Sequence, residues 1–126
     1  GAATLVSPLF CMKHLFTILL CWTVSGSLVR TSDGDTFVAR LSIWQNLEAI
    51  ERVRVLEIDT PEMKGATVDA VKKAQLFTHQ WLSEGTFTVE SCARDSFGRV
   101  LGRVYRGKDV LADKLIESGN AVKFKK

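Results

Sequence analysis

The sequence predicts an α+β fold, a five-stranded β-barrel with two to three helices. Three observations lead there. Short alternating apolar runs separated by turn signals fill most of the chain after residue 27. One long stretch, Val68 to Glu84, changes instead to helical spacing. The order that results is three strands, a helix, two strands and a helix. With 126 residues, 46% hydrophobic and 25% charged, the chain has the composition of a globular protein with room for one core. Its formal charge of +3 permits a polyanionic partner without requiring one.

The first 26 residues differ from the rest. Met12-Lys13-His14 precedes an apolar run from Leu15 to Val24, followed by Ser25-Gly26-Ser27. A charged start, an apolar stretch and small residues behind it form the pattern of a secretory signal peptide, with cleavage after Val24-Ser25-Gly26. The run is shorter than the roughly 20 residues that span a bilayer as a helix. Residues 1–26 are therefore expected to be a signal peptide or N-terminal extension, and residues 27–126 the domain. The expected location is secreted or periplasmic. The alternatives are a membrane-tethered chain, a lipoprotein anchor at Cys21, or a buried first strand.

Within the domain, Leu28 to Thr31 is a brief strand that ends at Asp33-Gly34, a turn pair in which Gly accepts positive φ. Thr36 to Leu41 is the second strand, and a turn around Gln45 to Glu48 leads into the third, Ile50 to Ile58. Val53 and Val55 lie on one face of that strand; Arg52, Arg54, Leu56 and Ile58 lie on the other. Pro61 ends it. The helix over 68–84 carries an apolar stripe through Val68, Val71, Ala74, Phe77 or Thr78, Trp81 and Leu82, and Gly85 stops it. Thr86 to Cys92 and Arg99 to Arg106 are the last two strands, joined by a turn at Asp95-Ser96-Phe97-Gly98. Asp109 is placed to cap a short helix, Val110 to Ser118, closed by Gly119. Five strands with a helix between the third and fourth is the order of an OB-fold-like barrel. That architecture often binds nucleic acids or sugars but does not itself define a function.

Cysteine and histidine chemistry is sparse. Cys11, Cys21 and Cys92 form no Cys-x-x-Cys or Cys/His cluster, which argues against structural zinc. His79 reads as a rim residue of the helix, and neither it nor His14 is given a catalytic role.

Acids and arginines carry the chemical signal. Asp35 starts the second strand, and Asp59 and Glu62 flank Thr60-Pro61 after the third. If these strands pair as a hairpin, the acids meet on one rim. Two carboxylates about 4 Å apart repel by about 4 kcal/mol at an effective dielectric near 20, and a cation relieves this. Oxygen donors select calcium, magnesium or manganese. Arg54 and Arg99 form a pair able to hold a phosphate and the added charge of its transition state. Glu62 is placed to orient or deprotonate a water. The plainer reading makes these turn and cap residues, with Arg99 paired to Asp95 and Arg54 to Glu57 or Glu51 as surface ion pairs. Asp33 is read as a turn residue.

Three segments, Asp33-Gly34-Asp35-Thr36, Arg54 through Asp59-Thr60-Pro61-Glu62, and Asp95-Ser96-Phe97-Gly98-Arg99, closely resemble the motifs of the staphylococcal nuclease (thermonuclease) family. The resemblance runs in order from about Leu28 to Phe124, through Gly107-Lys108-Asp109-Val110 and Glu117-Ser118-Gly119-Asn120-Ala121. It implies that Asp35 and Asp59 bind Ca2+ through carboxylates and Thr60 through its backbone carbonyl. It implies Glu62 as general base beside the attacking water, and Arg54 and Arg99 on the scissile phosphate, with Arg99 also as leaving-group acid. The implied activity is calcium-dependent cleavage of DNA and RNA, single-stranded or denatured forms favoured, to 3′-phosphate products by a monomer. The alternative is a catalytically silent OB-fold module that binds nucleic acid; all six site positions being filled favours activity. Phe97 stands where the family often has tyrosine, and Phe124 replaces an aromatic pair, so both are expected to contact substrate by stacking. The C-terminal helix usual in the family is not found before Lys126.

Overall fold

The computed structural model describes residues 21–62 and 67–123. Its elements are β1 (Trp22–Asp33), β2 (Thr36–Trp44), β3 (Leu47–Val55), β4 (Ile58–Asp59), α1 (Val68–Ser83), β5 (Phe87–Arg94), β6 (Val100–Arg106), β7 (Asp109–Val110), α2 (Leu111–Glu117) and β8 (Val122–Lys123). Strands β3-β2-β1-β5-β6 run in that order with antiparallel neighbours, and a parallel pairing of β3 with β6 closes them into a barrel. The five-stranded α+β barrel expected from the alternation is therefore present. β7 extends the sheet beside β6, and β4 with β8 forms a separate two-stranded ribbon.

Alternation sets the inside. Phe37, Ala39 and Leu41 of β2, Val53 and Val55 of β3, Phe87 and Val89 of β5, and Val100 and Val104 of β6 are all buried. Phe37 meets Phe87 edge-on, ring centroids 5.6 Å apart. Helix α1 closes one opening with Ala74, Thr78, Trp81 and Leu82, and α2 adds Leu111 and Leu115. The predicted stripe holds over its C-terminal part, whereas Val68 is exposed because Thr67 caps the helix through Ala70 N–H and the first turn stands clear of the barrel.

β1 starts at Trp22, earlier than the expected Leu28, and serves two partners. Residues 22–26 pair with β5, and from Gly26 onward the strand pairs with β2. Gly26 sits at this hand-over, where a Cβ would approach Leu41 Cδ2 to 2.9 Å and Phe87 Cε1 to 3.1 Å. The last residues of the expected leader thus lie in the sheet, and cleavage after Gly26 would remove the strand half paired with β5. Just before it, Cys21 forms a disulfide with Cys92 on β5 across 71 residues of sequence. The register Trp22↔Ser91 sets Cys21 and Cys92 opposite each other.

Two further expectations are corrected. The third strand ends at Val55, because Glu57 takes a left-handed conformation (φ 71°). This swings Ile58 inward to join Val53 and Val55 in the core, so Ile58 does not share a face with Arg54. Asp109 does not cap α2: it pairs with Arg106 in β7, and Val110 occupies the cap position without a side-chain bond. Among the described residues no helix is long and apolar enough to cross a membrane.

Two outcomes are expected. Gly34 is buried where a Cβ would lie 2.9 Å from both Thr60 and Ala74, so Gly34→Ala should cost about 1–3 kcal/mol by overpacking, read in urea unfolding. Cys92→Ser should lower stability by about 2–4 kcal/mol by releasing a long loop in the unfolded chain, an effect that a reducing agent should reproduce on the parent protein and not on the variant.

Candidate active site

The site is assembled at the ends of β2 and β3. Asp35 immediately precedes β2, Arg54 lies in β3 opposite Thr36, and Asp59 and Thr60 follow on and just past β4. Val55 N–H donates to the Asp35 carbonyl at 2.9 Å, which locks the two strand ends together. Asp35 is only 6% exposed. Its carboxylate accepts from Thr36 Oγ1 at 3.1 Å and from Thr60 N–H at 3.4 Å.

Arg54 reaches both acids. Its Nη2 lies 2.8 Å from Asp59 Oδ1 and 3.5 Å from Asp35 Oδ2, and its Nη1 donates to the Val55 carbonyl at 2.7 Å. The expected alternative pairing with Glu51 or Glu57 is not made, because Glu51 is held by Arg94 at 2.7 Å. Asp35, Arg54, Asp59 and Thr60 are therefore brought together. Among the described residues no group of three or more His, Cys, Asp or Glu side chains is close enough to hold a metal by itself. The side-chain donors at hand, the Asp35 and Asp59 carboxylates, are oxygen ligands of the kind a hard cation takes.

Arg99 joins from the other side of the barrel. Its Nη1 donates to Thr36 Oγ1 at 3.3 Å, and its Nε donates to Asp95 Oδ2 at 2.7 Å. Arg54, Arg99, Asp95, Leu56, Ile58 and Leu101 share a cleft of about 510 Å³. Phe97 is 70% exposed and lies beside it, with the Arg99 guanidinium 5.4 Å from its ring centroid. Glu62 is exposed past Pro61. Its charge acts on Asp33: partial desolvation and the like charges of Asp35 and Glu62 hold the Asp33 carboxyl above the ordinary range, against the pull of Arg54 and Arg99. Phe124 lies outside the described residues.

The plainer reading of Arg99 as paired with Asp95 is met, at 2.7 Å; most of the other contacts that brace this turn carried no signal in the sequence. Asp95 accepts from the N–H groups of Phe97 and Arg99 at 3.0 and 2.9 Å as well as from the Arg99 side chain, and these bonds lower its carboxyl against partial desolvation. Arg94 donates to the Gly98 carbonyl at 2.9 Å while Glu51 grips it with both oxygens. Arg52 donates to the Phe97 carbonyl. Thr78 of α1 donates to the Gly34 carbonyl at 2.6 Å and fixes the turn before Asp35. Asp-Ser-Phe-Gly-Arg announces a turn with an Asp at its first position, but no local pattern shows that residues from β3 and β5 brace it.

This geometry agrees with what comparison of the chain with known proteins finds. The family model for staphylococcal nuclease homologues matches residues 52–126, more than half of the chain. A protein of Escherichia coli described as an uncharacterized endonuclease is 33% identical over 87 residues, covering 69% of this chain and 52% of that protein. A protein of the same description from Escherichia coli O157:H7 matches at the same identity and coverage. The chain thus spans about half the length of the curated relatives it matches. With the closed barrel, the paired acids on Arg54 and the braced Arg99, the matched segment identifies the chain as a member of the staphylococcal nuclease homologue family.

Proposed function

We propose that the protein is a metal-dependent nuclease that hydrolyses phosphodiester bonds of DNA and RNA, with Ca2+ as its ion and 3′-phosphates as products. One observation carries this reading: a single guanidinium, that of Arg54, lies between two carboxylates beside a cleft that also holds Arg99. Asp35, Asp59 and the Thr60 carbonyl would hold the cation, which when bound supplies positive charge against the phosphate oxygens.

The chain's own groups account for the rest. Arg54 neutralises Asp35 and Asp59 in the free protein and would share its donors with a phosphate oxygen when substrate arrives. Arg99 is held at Nε by Asp95 and at Nη1 by Thr36, so it presents the remaining guanidinium nitrogen to the cleft. There it would stabilise negative charge developing on the phosphate and donate a proton toward the departing 5′ oxygen. Glu62, exposed three residues past Asp59 and close enough for its charge to act on Asp33, would take the proton of the attacking water. Phe97 would support a base by stacking. The alternative, a silent nucleic-acid-binding barrel, is disfavoured because the acids and both arginines are present and Arg54 contacts both Asp35 and Asp59.

We propose export as well. The charged start and apolar residues of 12–20 support it, and so does the Cys21–Cys92 bridge, a bond that persists in oxidising compartments. Because β1 uses residues 22–26, processing upstream of Cys21 fits the fold better than cleavage after Gly26. A chain left tethered to a membrane by its N-terminal segment is the alternative, and N-terminal sequencing of protein recovered from its native cells decides between them.

Denatured DNA incubated with calcium should be cut, and a calcium chelator should stop the reaction; absence of calcium-dependent product from a folded sample overturns the nuclease reading. Arg99→Ala and Glu62→Ala should each reduce kcat by about 10²–10⁴-fold; the melting temperature should be little changed for Glu62→Ala, whose side chain is exposed, and should fall modestly for Arg99→Ala, which loses the ion pair to Asp95. A near-parental rate in either variant removes the role given to that residue.

A further inference from the structure

Directly opposed residues of paired strands point to the same face of a sheet. Arg54 opposes Thr36, and that row carries the candidate site. The next row runs Arg30–Val38–Arg52 across β1, β2 and β3, and the row beyond it runs Ser27–Arg40–Ile50. Phe37, Ala39, Leu41 and Val53 fill the barrel from the opposite face, so these rows look outward. Val38 is nevertheless only 3% exposed, flanked in its row by two arginines whose aliphatic stems can lie across it.

The cations of this face are largely free. Arg30 and Lys72 make no ion pair among the described residues, and Arg52 donates to a carbonyl, that of Phe97. Arg40 has one exposed acidic neighbour, Glu48, at 3.7 Å. Arg30 also borders a groove of about 560 Å³ between β1 and α1, shared with Lys72 and His79 and walled by Val29 and Leu76. Among the described residues no acidic one lines this groove, and Val29 and Leu76 are 42% and 58% exposed. The result is a basic, partly apolar path that starts beside Arg54 and Phe97 and leads away from the cleft.

We propose that this outer face is a track for a single polynucleotide strand, in which Arg52, Arg30 and Lys72 take backbone phosphates flanking the scissile one and bases rest against Val29 and Leu76. The proposal takes its substrate class from the nuclease reading above. Neighbouring strands lie about 4.8 Å apart, so the backbones of Arg30 and Arg52 are about 10 Å apart, a gap that two long side chains bridge along a flexible strand. Unpaired cations interleaved with exposed apolar side chains fit a nucleic acid better than an acidic protein surface, and contacts to phosphate alone make the hold independent of sequence.

The test measures binding apart from cleavage. A full chain carrying Glu62→Gln is titrated with a fluorescently labelled 20-nucleotide single-stranded DNA, read by anisotropy at several salt concentrations. Adding Arg30→Gln and Lys72→Gln, which keep the aliphatic stems, should weaken binding about tenfold and flatten the slope of log K against log salt by about 1.4, the value for two lost phosphate contacts on a single strand. Lys108→Gln, in the turn between β6 and β7 and off this face, should change neither. Unchanged affinity and slope in the double variant overturn the track, as does an equal loss from Lys108→Gln, which would show attraction by net charge alone. Cleavage of the same DNA by the chain with Glu62 intact is read separately. Binding that depends on Arg30 and Lys72 without any cleavage removes the nuclease reading and leaves the track; cleavage with binding insensitive to both removes the track alone.

Discussion

The contact of Arg54 with Asp35 and Asp59 is the constraint on which the site depends. Two carboxylates cannot sit this close around a nearly buried Asp35 without a positive charge between them. Arg54 supplies it from the neighbouring strand, at 2.8 Å from one acid and 3.5 Å from the other. The arrangement follows from register: Thr36 opposes Arg54, so the residue before β2 and the arginine of β3 meet at the same end of the barrel. A hard cation and a phosphate oxygen would divide between them the interactions that Arg54 now makes with both acids.

Barrel closure brings in the second half of the site. The parallel pairing of β3 with β6 places Val53 beside Val100 and Arg54 beside Leu101, and so sets the end of β3 next to the turn that carries Arg99. The left-handed residue Glu57 lets the chain leave that seam, return Ile58 to the core and run on to Asp59 and Thr60. A residue other than glycine at φ 71° is conformationally costly, and the burial of Ile58 and the contact of Asp59 with Arg54 offset it.

The turn over residues 95–98 is braced on several sides. Asp95 gathers the N–H groups of Phe97 and Arg99 and the Arg99 guanidinium, while Arg94, itself held by Glu51, takes the Gly98 carbonyl and Arg52 takes that of Phe97. Hydrogen bonds to a carboxylate are stronger than neutral ones, so this short loop carries its arginine in a fixed direction. Such bracing would suit the role proposed for Arg99, a group that meets developing charge without reorganising first.

Alternation, turn residues and the helical stripe are local properties, and from them the sequence by itself determined the order of five barrel strands and two helices and set Val53 and Val55 apart from Arg54 on β3; the family rested on the resemblance of three short motifs. Residue types in compact motifs pointed to Asp35, Arg54, Asp59, Glu62 and Arg99 as charge chemistry, while Thr60 entered only through the family resemblance. Only the tertiary structure decided what lies between motifs. Pairing with β5 extended β1 back to Trp22 and set Cys21 against Cys92; the turn at Glu57 moved Ile58 from the face of Arg54 into the core; and Asp109 joined a strand in place of capping a helix. Arg52, Arg94 and Glu51 came to brace the turn that carries Arg99 for the same reason. Such contacts join residues far apart in the chain, and their partners are chosen by register and barrel closure, which no local pattern encodes.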